Sequence, residues 1–291
     1  MITLPSGGFF FSIHSLYLRG IINHKSIKMK NLFFTILFVI VAFNVQSQTV
    51  ADISYRIVPP SEMKTFMDNE AMYWGKIFAV LKEQGHVQGW SINTRAGGGL
   101  ATEPNVYSRI AFKSLSQRDE WWKHWGAAVQ KVESEMDPEK LALLKEKLKQ
   151  DKFEFANVLV QGVDQVWAKN SDWKFLVHNY TKTSNPAKLL ELESKITKPF
   201  FEKLMKQGKT KQKGWVTSYV LSPQGYRYAY NVMTVDFFEN FSDIYNAFDG
   251  NVTWPEQMTE LNDLKENKGF WKRSIYYRAI YLDSNNEVVR N

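Results

Sequence analysis

The apolar positions along this chain follow three different patterns, and each names a kind of element. Residues 32–43 are one unbroken apolar run of twelve, with Lys30 just before it. Alternation of apolar and polar residues predicts strands over 53–58, 106–112, 174–181, 228–235 and 274–282. Spacing of three and four predicts amphipathic helices ending at Gln84-Gly85 and at Gln207-Gly208, and others over 116–132, 137–150 and 240–248. Pro59-Pro60-Ser61 stops the first strand and starts the first helix. Ser116 is the predicted N-cap of the 116–132 helix, with Asp119 and Glu120 near its start. Residues 158–167 read as a closing strand, although the same pattern suits a helix.

The pattern repeats. Ile77 to Gly85 is a helix that reaches Gly89-Trp90 through a short polar turn, and Phe200 to Gly208 does the same into Gly214-Trp215, roughly 124 residues later. Turns follow in both copies, at Ala96-Gly97-Gly98-Gly99 and at Ser222-Pro223-Gln224-Gly225. The order in each half is strand, helix, strand, strand, helix, strand. That is the order of the ferredoxin-like split βαβ unit. The expected fold class is α+β: two tandem ferredoxin-like βαββαβ repeats packed sheet to sheet as an intrachain α/β barrel. The first repeat covers 48–170, with a helical insertion at 137–150, and the second covers 171–291.

By this element order and the repeated Gln-Gly…Gly-Trp segment, residues 53–282 resemble the dimeric α/β-barrel superfamily in a tandem-fused form. That superfamily includes antibiotic-biosynthesis-type monooxygenases, haem-degrading enzymes and chlorite-dismutase-like haem proteins. The resemblance implies a pocket between sheet and helices but no single chemistry.

The apolar run near the start changes the picture of where the protein works. At twelve residues it is short for a membrane span, which takes about 20, and it suits the core of a secretory signal. Val45 and Ser47 fit the small-residue subsites of a signal peptidase, so residues 29–47 read as a signal peptide cut before Gln48. Residues 1–28 read as an unstructured start-site extension. The expected location is exported, periplasmic or secreted, with no membrane attachment after cleavage. The formal charge of +7 shrinks on removal of Arg19, Lys25, Lys28 and Lys30, leaving 33 basic against 30 acidic residues. A balance that small gives no argument for a nucleic-acid partner. With no cysteine, the exported chain relies on its core, and 15% aromatic residues suggest a large one.

Candidate chemistry is sparse. His86, His124 and His178 have no metal-ligand spacing and no cysteine beside them, so no metal site is expected. The glycine run at 97–99 lacks the following Lys-Ser/Thr of a phosphate loop, and no Gly-x-Ser-x-Gly elbow appears. Trp121, His124 and Trp125 share a helix face at i, i+3 and i+4 spacing. The superfamily resemblance implies that His124 could ligate a haem iron, while the plain reading packs both tryptophans on the sheet with His124 beside the core. On the strand at 174–181, Leu176, His178 and Tyr180 share a face. Tyr107 and Arg109 share a face of another strand, as do Tyr276, Arg278 and Ile280 of the last one. An arginine facing a sheet-lined pocket attracts an anion or pairs with a carboxylate on the opposite sheet.

The candidate ligand-binding residues are therefore His124, Trp121, Trp125, His178, Tyr180, Arg109 and Tyr107, with no catalytic set and no named cofactor. The function they suggest is binding of a small aromatic or apolar ligand in an aromatic-lined pocket. A monooxygenase-like or haem-handling enzyme using His124 or His178 is the alternative, and a protein-interaction module without a pocket is a third class.

Overall fold

The computed structural model describes residues 49–97, 102–148, 153–169, 171–223, 229–266 and 273–291. The chain divides into two units, Met1–Gln46 and Ser47–Asn291, and every described residue lies in the second. The predicted signal segment and extension fall outside the described residues, as do Gly98, Gly99, Gln224 and Gly225. No helix among the described residues is long and apolar enough to cross a membrane.

The first half runs β1 (Val50–Arg56), α1 (Met63–Asn69), a π-helical turn (Glu70–Trp74), α2 (Gly75–Glu83), β2 (Gly89–Arg95) and β3 (Val106–Phe112). It continues with α3 (Leu115–Glu120), a 3₁₀ turn (Trp121–His124), α4 (Trp125–Ser134), α5 (Pro138–Leu148) and β4 (Glu154–Trp167). The second half runs β5 (Phe175–Thr181), α6 (Pro186–Leu192), a π-helical turn (Glu193–Thr197), α7 (Lys198–Lys206), β6 (Gln212–Ser222) and β7 (Val232–Phe238). A 3₁₀ turn (Phe241–Ile244), α8 (Met258–Asp263), β8 (Arg273–Leu282) and the short β9 (Val288–Arg290) complete it.

The expected fold class, α+β with two ferredoxin-like βαββαβ repeats packed sheet to sheet, is corrected by the strand pairing. The strands run in the order β2-β3-β1-β4-β6-β7-β5-β8, and β8 pairs back to β2, all antiparallel. The result is one closed eight-stranded β-barrel, not two sheets facing each other. The physical reason lies in the edges. A pair of facing sheets leaves the N–H and C=O groups of β2, β4, β6 and β8 unpaired, whereas joining β4 to β6 and β8 to β2 satisfies them. Alternation along each strand then sends one set of side chains into the lumen and the other outward.

One expected helix is not formed. The segment 240–248 makes only the 3₁₀ turn, capped by Asn240 and Asp243. It stops because the Ala247 carbonyl accepts from Lys211 N–H and from Thr210 Oγ1, and Asp249 N–H donates to Lys209. The backbone groups that would continue a helix are bonded to the entry of β6 instead. In the first half the predicted cap moves by two residues. Ser114, not Ser116, accepts from Gln117 N–H at 3.2 Å, and the Gln117 side chain accepts from Lys113 N–H at 2.7 Å.

The two Gln-Gly signals have a shared cause. Gly85 and Gly208 adopt φ of 77° and 65° just past α2 and α7. Each is followed by the paired backbone bonds that close a helix: His86 to Leu81 and Gly85 to Lys82, then Lys209 to Leu204 and Gly208 to Met205. Trp90 and Trp215 then pack outward, each against a helix phenylalanine, Phe78 at 5.7 Å and Phe201 at 6.0 Å. Both tryptophans are buried. The larger outer core lies under α1–α5, where Ile77, Leu81, Ile92, Val106 and Phe112 are inaccessible to solvent.

Candidate functional site

The lumen is filled at its middle and open at both ends. Tyr55 of β1, Tyr107 of β3, His178 and Tyr180 of β5 and Tyr276 of β8 form a layer across it. Tyr107 meets Tyr276 at 4.6 Å and His178 at 4.9 Å, and His178 meets Tyr276 at 5.1 Å. Tyr180 Oη lies 3.1 Å from His178 Nδ1 and 3.2 Å from Tyr55 Oη, a continuous hydrogen-bonded chain. On one side of the layer is a first chamber of about 330 Å³. On the other is a second, of about 470 Å³, whose walls include Tyr55, Tyr180, Tyr230 and Tyr276.

The first chamber is amphipathic because its walls come from different strands. β2 and β3 supply a polar wall: Ser91 pairs with Arg109 and Asn93 with Tyr107 in their ladder, so the four side chains form one patch. The opposite wall is apolar, from Val160, Val216, Met233, Val235 and Phe237. At the mouth the Arg278 guanidinium is sandwiched 3.9 Å from the rings of both Trp173 and Tyr281. Its Nη2 reaches Asp172 only at 3.4 Å.

Electrostatics single out Arg109. Its guanidinium faces the chamber and, among the described residues, has no carboxylate partner. Burial lowers its pKa, and the neighbouring Tyr107 phenol opposes this. His178 is pushed down to about 3, first by burial and then by the positive charge of Arg109, so its imidazole is neutral. Burial raises Tyr55, Tyr107 and Tyr180 well above the usual phenol range. Among the described residues, the first chamber therefore presents in Arg109 a positive charge that no carboxylate pairs. Asn93 adds an unmet acceptor. Its Nδ2 donates to Ser91 Oγ at 3.0 Å, while its buried Oδ1 has no partner.

Four of the residues singled out from sequence, Tyr107, Arg109, His178 and Tyr180, meet in this lumen. The other three do not join them. Trp121 and Trp125 pack on the outer core, with Trp121 at 6.0 Å from Phe78 and Trp125 at 5.7 Å from Phe78 and Trp74. His124 is exposed and stacks on His86 at 3.5 Å, lining neither chamber. Tyr276 and Arg278 point inward as their alternation predicts. Ile280 does not, because the β2–β8 register shifts between Ile92 and Asn93 and turns it to the outer core. Ser91, Asn93 and Tyr55 escaped the sequence reading. Tyr55 was findable, since Ala51, Ile53 and Tyr55 alternate on β1. Asn93 had no signal, because an isolated asparagine in a strand says nothing about its partners. Among the described residues no group of three or more acidic or histidine side chains could hold a metal ion.

No protein-family model matches the sequence, and no curated protein matches it. Solved structures do. A candidate monooxygenase from Lactobacillus acidophilus is 8% identical, covers 84% of this chain and 96% of its own, and has a TM-score of 0.45. A candidate monooxygenase from Fusobacterium nucleatum is 8% identical, with 85% and 99% covered and a TM-score of 0.49. A mutant chlorite dismutase from Candidatus Nitrospira defluvii is 7% identical, with 81% and 93% covered and a TM-score of 0.42. These likenesses concern the fold alone. At such identities the site is read from its own geometry.

Proposed function

We propose that this chain binds a small organic acid, a carboxylate on an aromatic or apolar body, in the first chamber of the lumen. One observation carries the reading: Arg109 presents a guanidinium without a carboxylate partner to a chamber whose far wall is apolar. A carboxylate is the bidentate match for that group. Ser91 and Asn93 stand beside it, and the open Asn93 Oδ1 accepts from a ligand hydroxyl. The acid's body then lies against Val216, Met233, Val235 and Phe237. The chamber volume lies at the small end of the range for small-molecule sites. Export through residues 29–47 belongs to the same proposal, and N-terminal sequencing of the mature protein tests it, with Gln48 as the expected first residue.

Calorimetric titration with benzoate and para-hydroxybenzoate tests the reading. Saturable binding is expected, tighter for the hydroxylated acid and at least tenfold weaker in Arg109→Met. Equal affinity in the wild type and Arg109→Met would overturn it.

Turnover of the bound acid is a second reading, favoured by His178. Its neutral imidazole borders the chamber, and the Tyr180–Tyr55 hydroxyls behind it form a path for a proton. In that reading His178→Gln abolishes turnover and leaves binding intact. A haem-handling role needs a histidine free to meet a porphyrin. His124 stacks on His86 outside the lumen, and His178 engages Tyr180 inside a narrow chamber. The binding reading takes no haem.

A further inference from the structure

The outer face of the second half is thinly covered, since its second helical segment is one 3₁₀ turn and α8 has six residues. Under this cover lies a cavity of about 360 Å³, on the opposite side of the barrel wall from the first chamber. Its floor is polar. Asp236 Oδ2 accepts from Asn179 Nδ2 at 2.7 Å, and Asp236 Oδ1 accepts from Gln212 Nε2 at 2.6 Å. Arg273, at the start of β8, borders this cavity as well as the second lumen chamber. Asp236 and Arg273 attract each other, but no ion pair joins them. Two buried atoms of this floor have no hydrogen-bond partner, Gln212 Oε1 and Arg273 Nε. Gln212 is 3% exposed, so leaving its oxygen unmet is costly. The walls are aromatic: Phe248 lies 6.2 Å from Phe201 and 5.1 Å from Trp254, which sits half exposed at the rim.

We infer that this cavity is a second site, distinct from the lumen, for a small zwitterion on an apolar body, the chemistry of an α-amino acid with an apolar side chain. The ammonium donates toward Asp236 and Gln212 Oε1. The carboxylate lies against Arg273, and the side chain fills the space between Phe201, Phe248 and Trp254. An amine alone leaves the Arg273 charge beside its own, and an acid alone sits against Asp236. Only a ligand with both groups satisfies both. Burial pushes the Asp236 carboxyl up to about 6, with Asn179, Arg273 and Gln212 opposing, so it remains mostly charged at neutral pH and ready for a cation.

Calorimetric titration of the full chain carrying Arg109→Met, which removes the carboxylate partner of the lumen site, with L-phenylalanine, phenethylamine and hydrocinnamate tests this inference. L-phenylalanine is expected to saturate, with each half-ligand at least tenfold weaker. In that background Asp236→Asn is expected to weaken L-phenylalanine at least tenfold. Trp254→Ala, at an exposed rim position whose loss does not threaten folding, should weaken it several-fold. Absence of saturable L-phenylalanine binding would overturn the inference. So would a half-ligand that binds as tightly in the same background, or binding that ignores Asp236 and Trp254. Because the lumen reading is tested with benzoates on the wild type and this inference in a background without Arg109, each proposal fails separately.

Discussion

Replacing Asp236 and His178 one at a time should tilt the acid limb of the stability curve in opposite directions. His178 has an ordinary pKa of 6.5 that falls to about 3 in the fold. Below pH 6.5 the unfolded chain takes up a proton that the native state refuses, so stability falls as pH falls, by about 1.4 kcal/mol per pH unit. Asp236 moves the other way, from 3.8 up to about 6. The native state protonates first, so stability rises as pH falls from about 6 toward 3.8, with the same slope. At about pH 4.5 the His178 loss is about 3 kcal/mol and the Asp236 gain about 2 kcal/mol, so the wild type hides most of both. Asp236→Asn should then lose about 2 kcal/mol more than the wild type between about pH 7 and pH 4.5, and His178→Gln should lose about 3 kcal/mol less. Urea melts of the three proteins at the two pH values give the changes directly, and comparing changes removes any offset that each substitution causes at neutral pH. Parallel pH dependence in all three would refute the burial of both groups.

The remaining predictions concern packing and charge. Trp90→Ala and Trp215→Ala should each cost about 3–5 kcal/mol, because both side chains are buried under helix phenylalanines, and urea melts measure this. Trp121→Ala and Trp125→Ala, which are partly exposed, should cost about 3 kcal/mol each, while His124→Ala costs less than about 1 kcal/mol because only His86 covers its ring. Arg109→Met should raise the stability of the ligand-free protein by up to about 1–3 kcal/mol, since it removes a cation that has no carboxylate partner; a lower melting temperature in this variant would contradict that.

Local pattern carried the strands and the lumen-facing groups, and it failed where distant partners decide. Alternation at 106–112 marks β3 to the residue, and it put Tyr107 with Arg109 and His178 with Tyr180 on the faces they occupy. Residues 158–167, readable as strand or helix, became part of the long β4 because β1 and β6 flank it on both sides. Barrel closure was not legible. It depends on β4 meeting β6 and β8 meeting β2, and no local period encodes which edges meet. The helix expected over 240–248 was lost for a similar reason, because the Ala247 carbonyl is taken by residues 210 and 211. The open oxygens of Asn93 and Gln212 are visible only once the neighbours that fail to reach them are in place.

A crystal structure of the chain grown with para-hydroxybenzoate tests the central claim most directly. The account predicts the acid in the first chamber, with its carboxylate on the Arg109 guanidinium, its hydroxyl toward Asn93 Oδ1 and its ring against Val235 and Phe237. A structure with the acid bound elsewhere, and only water against Arg109, would contradict it.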